Sequence, residues 1–214
     1  GELARGRSAG GGVIGPTGDT GGTGGTVVGH AGSVPPPPQI HRTATYRVQL
    51  HAGFTFGAGE DVQDTLLVTV GTGVGGGIVL GGHLHRGAFE VAAEIGHMRV
   101  VPNGILCGCG KHGCFEQYAS GSALVREARA LALSGAMIAQ GMLRRADGDL
   151  NKITGPLITE AAQQGDPGAL QQLAELGRWL GEGIASLTEI LDPGVVVVGG
   201  GVSEADELLL DPAR

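Results

Sequence analysis

Long apolar runs are absent from these 214 residues, so no segment reads as a membrane span and no membrane partner is expected. Basic residues are the minority. Fourteen Lys and Arg against 21 Asp and Glu leave a formal charge of −7, which argues against nucleic acid held through its phosphates. Cysteine is scarce: three copies, an odd number, all between Cys107 and Cys114, a pattern that suits a metal better than a disulfide framework. No charged-then-apolar leader opens the chain, and it starts at Gly1 rather than Met, which hints at an N-terminus that is not a natural one. The resulting expectation is an acidic, soluble, cytoplasmic protein. What abounds is glycine, 43 residues, far above the usual roughly 7% but without the Gly-X-Y period of collagen.

Composition shifts near residue 60. Residues 1–60 hold 16 of the glycines and five of the ten prolines, four of them consecutive from Pro35 to Pro38. The tract Gly21-Gly22-Thr23-Gly24-Gly25-Thr26 is of low complexity, and the proline run favours an extended polyproline conformation. Two weak strands are expected, at 12–14 and 45–50, but little apolar surface is available there to offset chain entropy. Residues 1–60 are therefore expected to be a Gly/Pro-rich segment, disordered or misassembled, and residues 61–214 the folded part.

Beyond Thr65 the pattern is that of an α/β protein. Leu66–Val70 reads as a buried strand and Gly71–Gly77 as a glycine-rich bend, with Ile78–Leu80 returning as the second arm of a hairpin. Helices are expected over 122–133 and 154–164. A third opens with Asp166 as N-cap and Pro167 in its first turn, carries Leu170, Leu173, Leu176, Leu180, Ile184, Leu187 and Leu191 at steps of three and four, and stops at Asp192-Pro193-Gly194. Val195–Val198 reads as a strand buried on both faces, running into Gly199-Gly200-Gly201. Residues 134–155 give no clear pattern. Trp179 reads as a packing or subunit-contact residue, Arg144 and Arg145 as a solvated pair, and His83 and His85 as surface groups.

Four features carry chemistry. Cys107, Cys109 and Cys114, with His97 ten residues before the first of them, offer three thiolates and an imidazole, a tetrahedral zinc set that is structural because it is fully occupied. His112, inside the loop, is the alternative fourth ligand and sterically the poorer one. The turn around Thr72 and the one after Val198 each put backbone N–H groups at the end of a strand, where phosphates bind. Glu94 and Glu116 flank the metal loop and form a carboxylate pair suited to sugar hydroxyls.

Together these residues resemble the ROK family of bacterial sugar kinases and repressors. The matching stretches are Val70–Ile78, Glu94-Ile95-Gly96-His97, Cys107–Cys114, the following Phe115–Gly121, Leu191-Asp192-Pro193 and Val198–Ser203, within residues 55–214. Phe115–Gly121 resembles the actinobacterial-type glucokinase branch in particular. The resemblance implies the actin-like ATPase (ribonuclease H-like) fold, of which mainly the C-terminal lobe is present. It implies ATP-dependent phosphorylation of D-glucose to glucose 6-phosphate with Mg2+ and a structural Zn2+, in a protein that works as a homodimer or homotetramer. By the same resemblance Gly71, Thr72 and Gly73 lie in a phosphate-binding loop, and Gly199 and Gly200 in the adenosine-binding turn. Glu94, His97 and Glu116 contact the hexose, and His97, Cys107, Cys109 and Cys114 hold the metal.

The first sixty residues depart from that pattern. Asp19–Gly24 superficially matches the family's first phosphate motif, but it lacks the lysine and a preceding apolar strand, and is read as chance. No Glu-Asn-Asp occurs anywhere, so no residue is assigned as catalytic base and the chain as written is expected to be an impaired kinase. The alternatives are a sugar-responsive transcriptional repressor of the same family and an inactive zinc- and sugar-binding remnant.

Overall fold

The computed structural model describes residues 39–42 and 62–214. The chain divides between Pro36 and Pro37, and everything described lies in the second unit. The strands expected at 12–14 and 45–50, and the chance match at Asp19–Gly24, fall outside the described residues. Within them, the first strand, β1 (Gln39–Arg42), follows directly on the proline run, where no strand was expected.

The sheet is mixed, in the order β1-β5-β2-β3-β4. β2 (Thr65–Val70) and β5 (Val195–Gly199) run parallel side by side, and β1 pairs parallel to the far edge of β5. β3 (Val74–Leu80) returns antiparallel to β2, and the two-residue β4 (His83–Leu84) ends the sheet. On β2 alternate residues Leu66, Val68 and Val70 are fully buried. All five residues of β5 are buried, as its place between two parallel neighbours requires.

The hairpin differs from expectation in one respect. The bend is only Gly71-Thr72-Gly73, and Gly75, Gly76 and Gly77 belong to β3 itself. Glycine normally weakens a strand. Here a side chain on Gly76 would stand 2.7 Å from the Ala93 carbonyl and 2.8 Å from Ile95 Cγ1, so the missing side chain lets the 93–97 segment lie directly on the strand.

Six helices complete the described fold. The four-residue α1 (Glu116–Ala119) runs almost at once into α2 (Gly121–Leu133), whose N-cap Ser120 accepts from Ala123 N at 3.2 Å. α3 (Gln140–Arg145) lies in the stretch without a readable pattern, and six residues are too few to show periodicity. α4 (Gly155–Gln163) and α5 (Pro167–Leu191) follow, the latter capped by Asp166 Oδ1 accepting from Ala169 N at 3.0 Å. Leu173, Leu176, Leu180, Ile184 and Leu187 of α5 are buried in one apolar core with β2, β5 and α2, each such side chain stabilising by about 1.5–3 kcal/mol. α5 ends at Asp192, which takes the left-handed conformation (φ 45°) usual for glycine. The last helix, α6 (Glu207–Ala213), packs on α5 where Gly177 and Gly181 admit the backbone at Leu209 and Ala213. Arg144, Arg145, His83 and His85 are exposed, and Trp179 is half-buried. No helix among the described residues is long and apolar enough to cross a membrane.

Candidate functional site

Parallel strands side by side bring their carboxyl ends, and hence the two glycine turns, together. Thr69 is in register with Gly199, so Gly71–Gly73 leaves β2 beside the point where Gly199-Gly200 leaves β5. Gly200 has φ 98°, and a side chain there would overlap the Val70 carbonyl, so the position requires glycine on both counts. The first turn rests on the start of α2: Gly71 O accepts from Gly121 N at 2.7 Å and Thr72 O from Ser122 N at 3.4 Å. Thr72 is exposed at its tip. All five residues expected at the nucleotide therefore gather at the carboxyl end of β2 and β5, the edge at which open α/β sheets take ligands.

The second half of the site is built on β3. A 3-10 turn, Ile95–His97, is held against the strand by the close approach at Gly76 and by Gly96, whose own Cβ would overlap the Val74 carbonyl. That contact fixes where His97 points. His97 then meets the cysteine loop: the donor atoms of His97, Cys107, Cys109 and Cys114 all lie within 4.8 Å of one another. Cys109 Sγ is 3.6 Å from Cys114 Sγ, and Cys107 Sγ is 3.7 Å from His97 Nδ1. Zinc–sulfur bonds of about 2.3 Å at tetrahedral angles place neighbouring sulfurs about 3.8 Å apart, so the four donors fit a zinc ion with little movement. His112 is not part of this cluster; its Nδ1 pairs with the Gly104 carbonyl at 2.9 Å.

Burial, and then the neighbouring thiols of Cys109 and Cys107, push the Cys114 thiol up to about 12. Cys109, exposed, is lowered, chiefly by the Lys111 backbone N–H. A cation is what would let three thiolates share so small a space.

The glycines of this loop divide into two kinds. Gly110 and Gly113 have φ of 85° and 77°, whereas Gly108 lies in open space with no left-handed φ. The turn conformations that only glycine adopts without strain in this loop are thus those of Gly110 and Gly113. Gly110→Ala, with room for the methyl but the wrong φ, is expected to destabilise by about 1–2 kcal/mol. Gly108→Ala is expected to be neutral, and chemical denaturation of the two variants side by side checks the contrast.

Glu116 ties the two halves together. It opens α1 directly after Phe115, whose fully buried ring seats on Gly183 of α5. Its Oε1 accepts from Cys107 Sγ at 3.1 Å and lies 3.7 Å from His97 Nδ1, while a side chain on Gly73 would stand 2.7 Å from its Oε2. Glu94 is different. Its carbonyl accepts from His97 N at 3.0 Å, but its exposed carboxylate has no partner among the described residues. Of the three expected sugar ligands, then, His97 and Glu116 are brought together and Glu94 is held nearby only through the backbone. The contact between Gly73 and Glu116 and the seat of Phe115 on Gly183 escaped the sequence reading; a glycine in mid-helix, at Gly183, was the signal for the second.

The class so defined is an α/β protein with glycine turns at the ends of its parallel strands, next to a Cys3His cluster and the Glu116 carboxylate. The chain belongs to the ROK family, whose model matches residues 46–214, and it shares with the family's sugar kinases the actin-like ATPase fold. It is 48% identical over 161 residues to a glucokinase of Streptomyces coelicolor, covering 75% of this chain and 51% of that protein. A Streptomyces griseus ROK glucokinase, solved with glucose and AMPPNP, matches with a TM-score of 0.71 and 53% identity over 74% of this chain and 51% of that one. Regulators are relatives too: the Escherichia coli DNA-binding transcriptional dual regulator NagC is 37% identical over 72% of this chain and 36% of its own length. The chain spans about half the length of the glucokinases it matches.

Proposed function

We propose that this chain is the hexose- and phosphate-binding part of an ATP-dependent glucokinase, whose reaction converts D-glucose to glucose 6-phosphate. The observation that carries the reading is the position of Glu116, one oxygen at the Cys3His cluster and the other against Gly73 of the phosphate-type turn. A sugar held by Glu116 and His97 would lie beside the turn expected to hold the transferred phosphate, the juxtaposition that phosphoryl transfer needs. Glucokinase relatives, one solved with glucose and AMPPNP, support the same choice.

The roles divide as follows. Gly71, Thr72 and Gly73 offer backbone N–H groups and a hydroxyl to the phosphates of ATP, which enters with Mg2+, and Gly199 and Gly200 leave room for the adenosine. Glu116 and His97, with Glu94 at the rim, accept from and donate to the hexose hydroxyls. His97, Cys107, Cys109 and Cys114 would hold Zn2+, which supplies structural charge and cross-linking and no chemistry at the phosphoryl group. No residue of this sequence is assigned the proton-accepting role, so the chain is proposed to bind substrate rather than to turn it over efficiently.

Calorimetric titration of the zinc-loaded chain with D-glucose tests this. Glu116→Gln keeps the shape of the side chain but removes its charge, and is expected to weaken binding about 10- to 100-fold. An unchanged isotherm in the variant, or no binding by the parent chain, overturns the assignment.

A further inference from the structure

Gln172, on the side of α5 that meets α2, is nine-tenths buried at 9% exposure, and its carboxamide has no hydrogen-bond partner among the described residues. A buried amide left unpaired is destabilising, and native structures rarely keep one without a purpose. Gln172 borders a groove of about 230 Å³ that none of the residues assigned to nucleotide, hexose or metal lines.

The groove has a definite chemistry. Leu124 and Leu176 supply buried apolar surface. Tyr118 and Trp179 supply two aromatic rings, their centroids 4.8 Å apart and tilted by 39°. The charges at the rim are already matched within the chain: Arg126 Nε donates to Glu127 Oε1 at 2.9 Å, and Glu175 is paired with Arg178. A charged ligand would have to break such a pair; a neutral one would not. The carboxamide calls for a partner that both donates and accepts, as a hydroxyl does. Aromatic rings take the flat C–H face of a ligand. The volume is below the roughly 300 Å³ at which pockets for drug-sized ligands begin, so one small ring is the fitting size.

We propose that this groove between α2 and α5 is an accessory binding site for a neutral monosaccharide, separate from the site at Glu116. The pyranose face lies on Trp179 and Tyr118, its hydroxyls pair with the Gln172 carboxamide, and Glu127 accepts at the rim. None of this requires the Glu116 site to bind sugar.

Trp179 is the sole tryptophan of the chain, so its fluorescence reports on the groove directly. The intact chain is titrated with D-glucose and, separately, with N-acetylglucosamine. A saturable change is expected in the parent and in Glu116→Gln, and about tenfold weaker or lost in Gln172→Leu. Gln172→Leu is also expected to melt no lower than the parent, because it removes an unpaired amide, so lost binding is not lost folding. A response that disappears in Glu116→Gln but persists in Gln172→Leu, or no response to either sugar, overturns the proposal. So does sedimentation showing self-association in the parent that Gln172→Leu abolishes, which would make the groove a contact between copies. Failure of the Glu116 assignment looks different: there the Glu116→Gln isotherm is unchanged while Gln172→Leu still has its effect.

Discussion

A Cys114→Ser chain is expected to bind no stoichiometric zinc, whereas the parent is expected to bind one ion per chain, as read by elemental analysis or by competition with a chromophoric chelator. Three features make Cys114 the most sensitive of the four donors. It is fully buried, its sulfur lies 3.6 Å from that of Cys109, and its backbone bridges to Arg99, so the loop closes at this residue. Serine offers a poor ligand in place of a thiolate and leaves a hydroxyl in an apolar setting, itself a cost of about 1–3 kcal/mol. Apart from the backbone bonds at Cys107, Gly110, Gly113 and Cys114 and the pairing of His112 with Gly104, little else orders the Cys107–Cys114 loop, in which Cys109 is exposed. Proteolysis within 99–114 should therefore accelerate, both in the variant and in the parent after chelation. His112→Ala gives the control. Its imidazole lies outside the cluster of four donors, so zinc content should stay at one. Zinc lost from His112→Ala and kept in His97→Ala would reverse the choice of fourth ligand.

That choice shows where local sequence is informative. Cys107-Gly108-Cys109 and Cys114 announce their chemistry because ligands must lie close in space and here lie close in the chain as well. The long helix announces itself because Asp166, Pro167 and the leucine stripe are independent signals that agree. β5 is visible for a similar reason, four valines ending in glycine. Other features depend on partners far away in the sequence. Gly75-Gly76-Gly77 looks like a bend until Ala93 and Ile95 are seen lying on Gly76, and only then is it a strand made smooth to receive the segment that carries His97. α1 and α3 are four and six residues long, too short for a helical period, and are held by contacts such as fully buried Met142. β1 follows four prolines and pairs with β5 through its backbone, which composition cannot foretell. For the candidate site the residue types were legible and their geometry was not. Glu116 stood out as a carboxylate two residues past a cysteine, but its reach to Gly73 comes from the parallel pairing of β2 and β5 and from how α1 is seated.

That seating is what Gly183→Ala attacks. A methyl at 183 would overlap the Phe115 ring, approaching Cε1 to 2.8 Å and two further ring atoms more closely still. Gly183 lies inside α5, so helix propensity alone would favour alanine by roughly 1 kcal/mol. The overlap runs the other way. Phe115 is fully enclosed, and a close-packed interior has no free volume into which a ring can retreat. Overpacking of this kind costs about 1–3 kcal/mol or more, so we expect a net loss of about 2–3 kcal/mol in denaturant unfolding. The consequence for the site is larger than for the fold. Phe115 stands between Cys114 and Glu116 in the chain, and its N–H donates to Met98 O at 2.8 Å, next to His97. A ring pushed off α5 carries with it Cys114 of the proposed metal cluster, the Glu116 carboxylate and the strap to His97. Zinc and glucose affinity should therefore fall together in Gly183→Ala, under conditions where the chain is still folded. Phe115→Leu in the same chain relieves the overlap, and the double variant should regain stability over Gly183→Ala alone, a coupling that a double-mutant cycle measures. If Gly183→Ala unfolds at the same denaturant concentration as the parent and keeps both affinities, the Phe115 seat does not position the site.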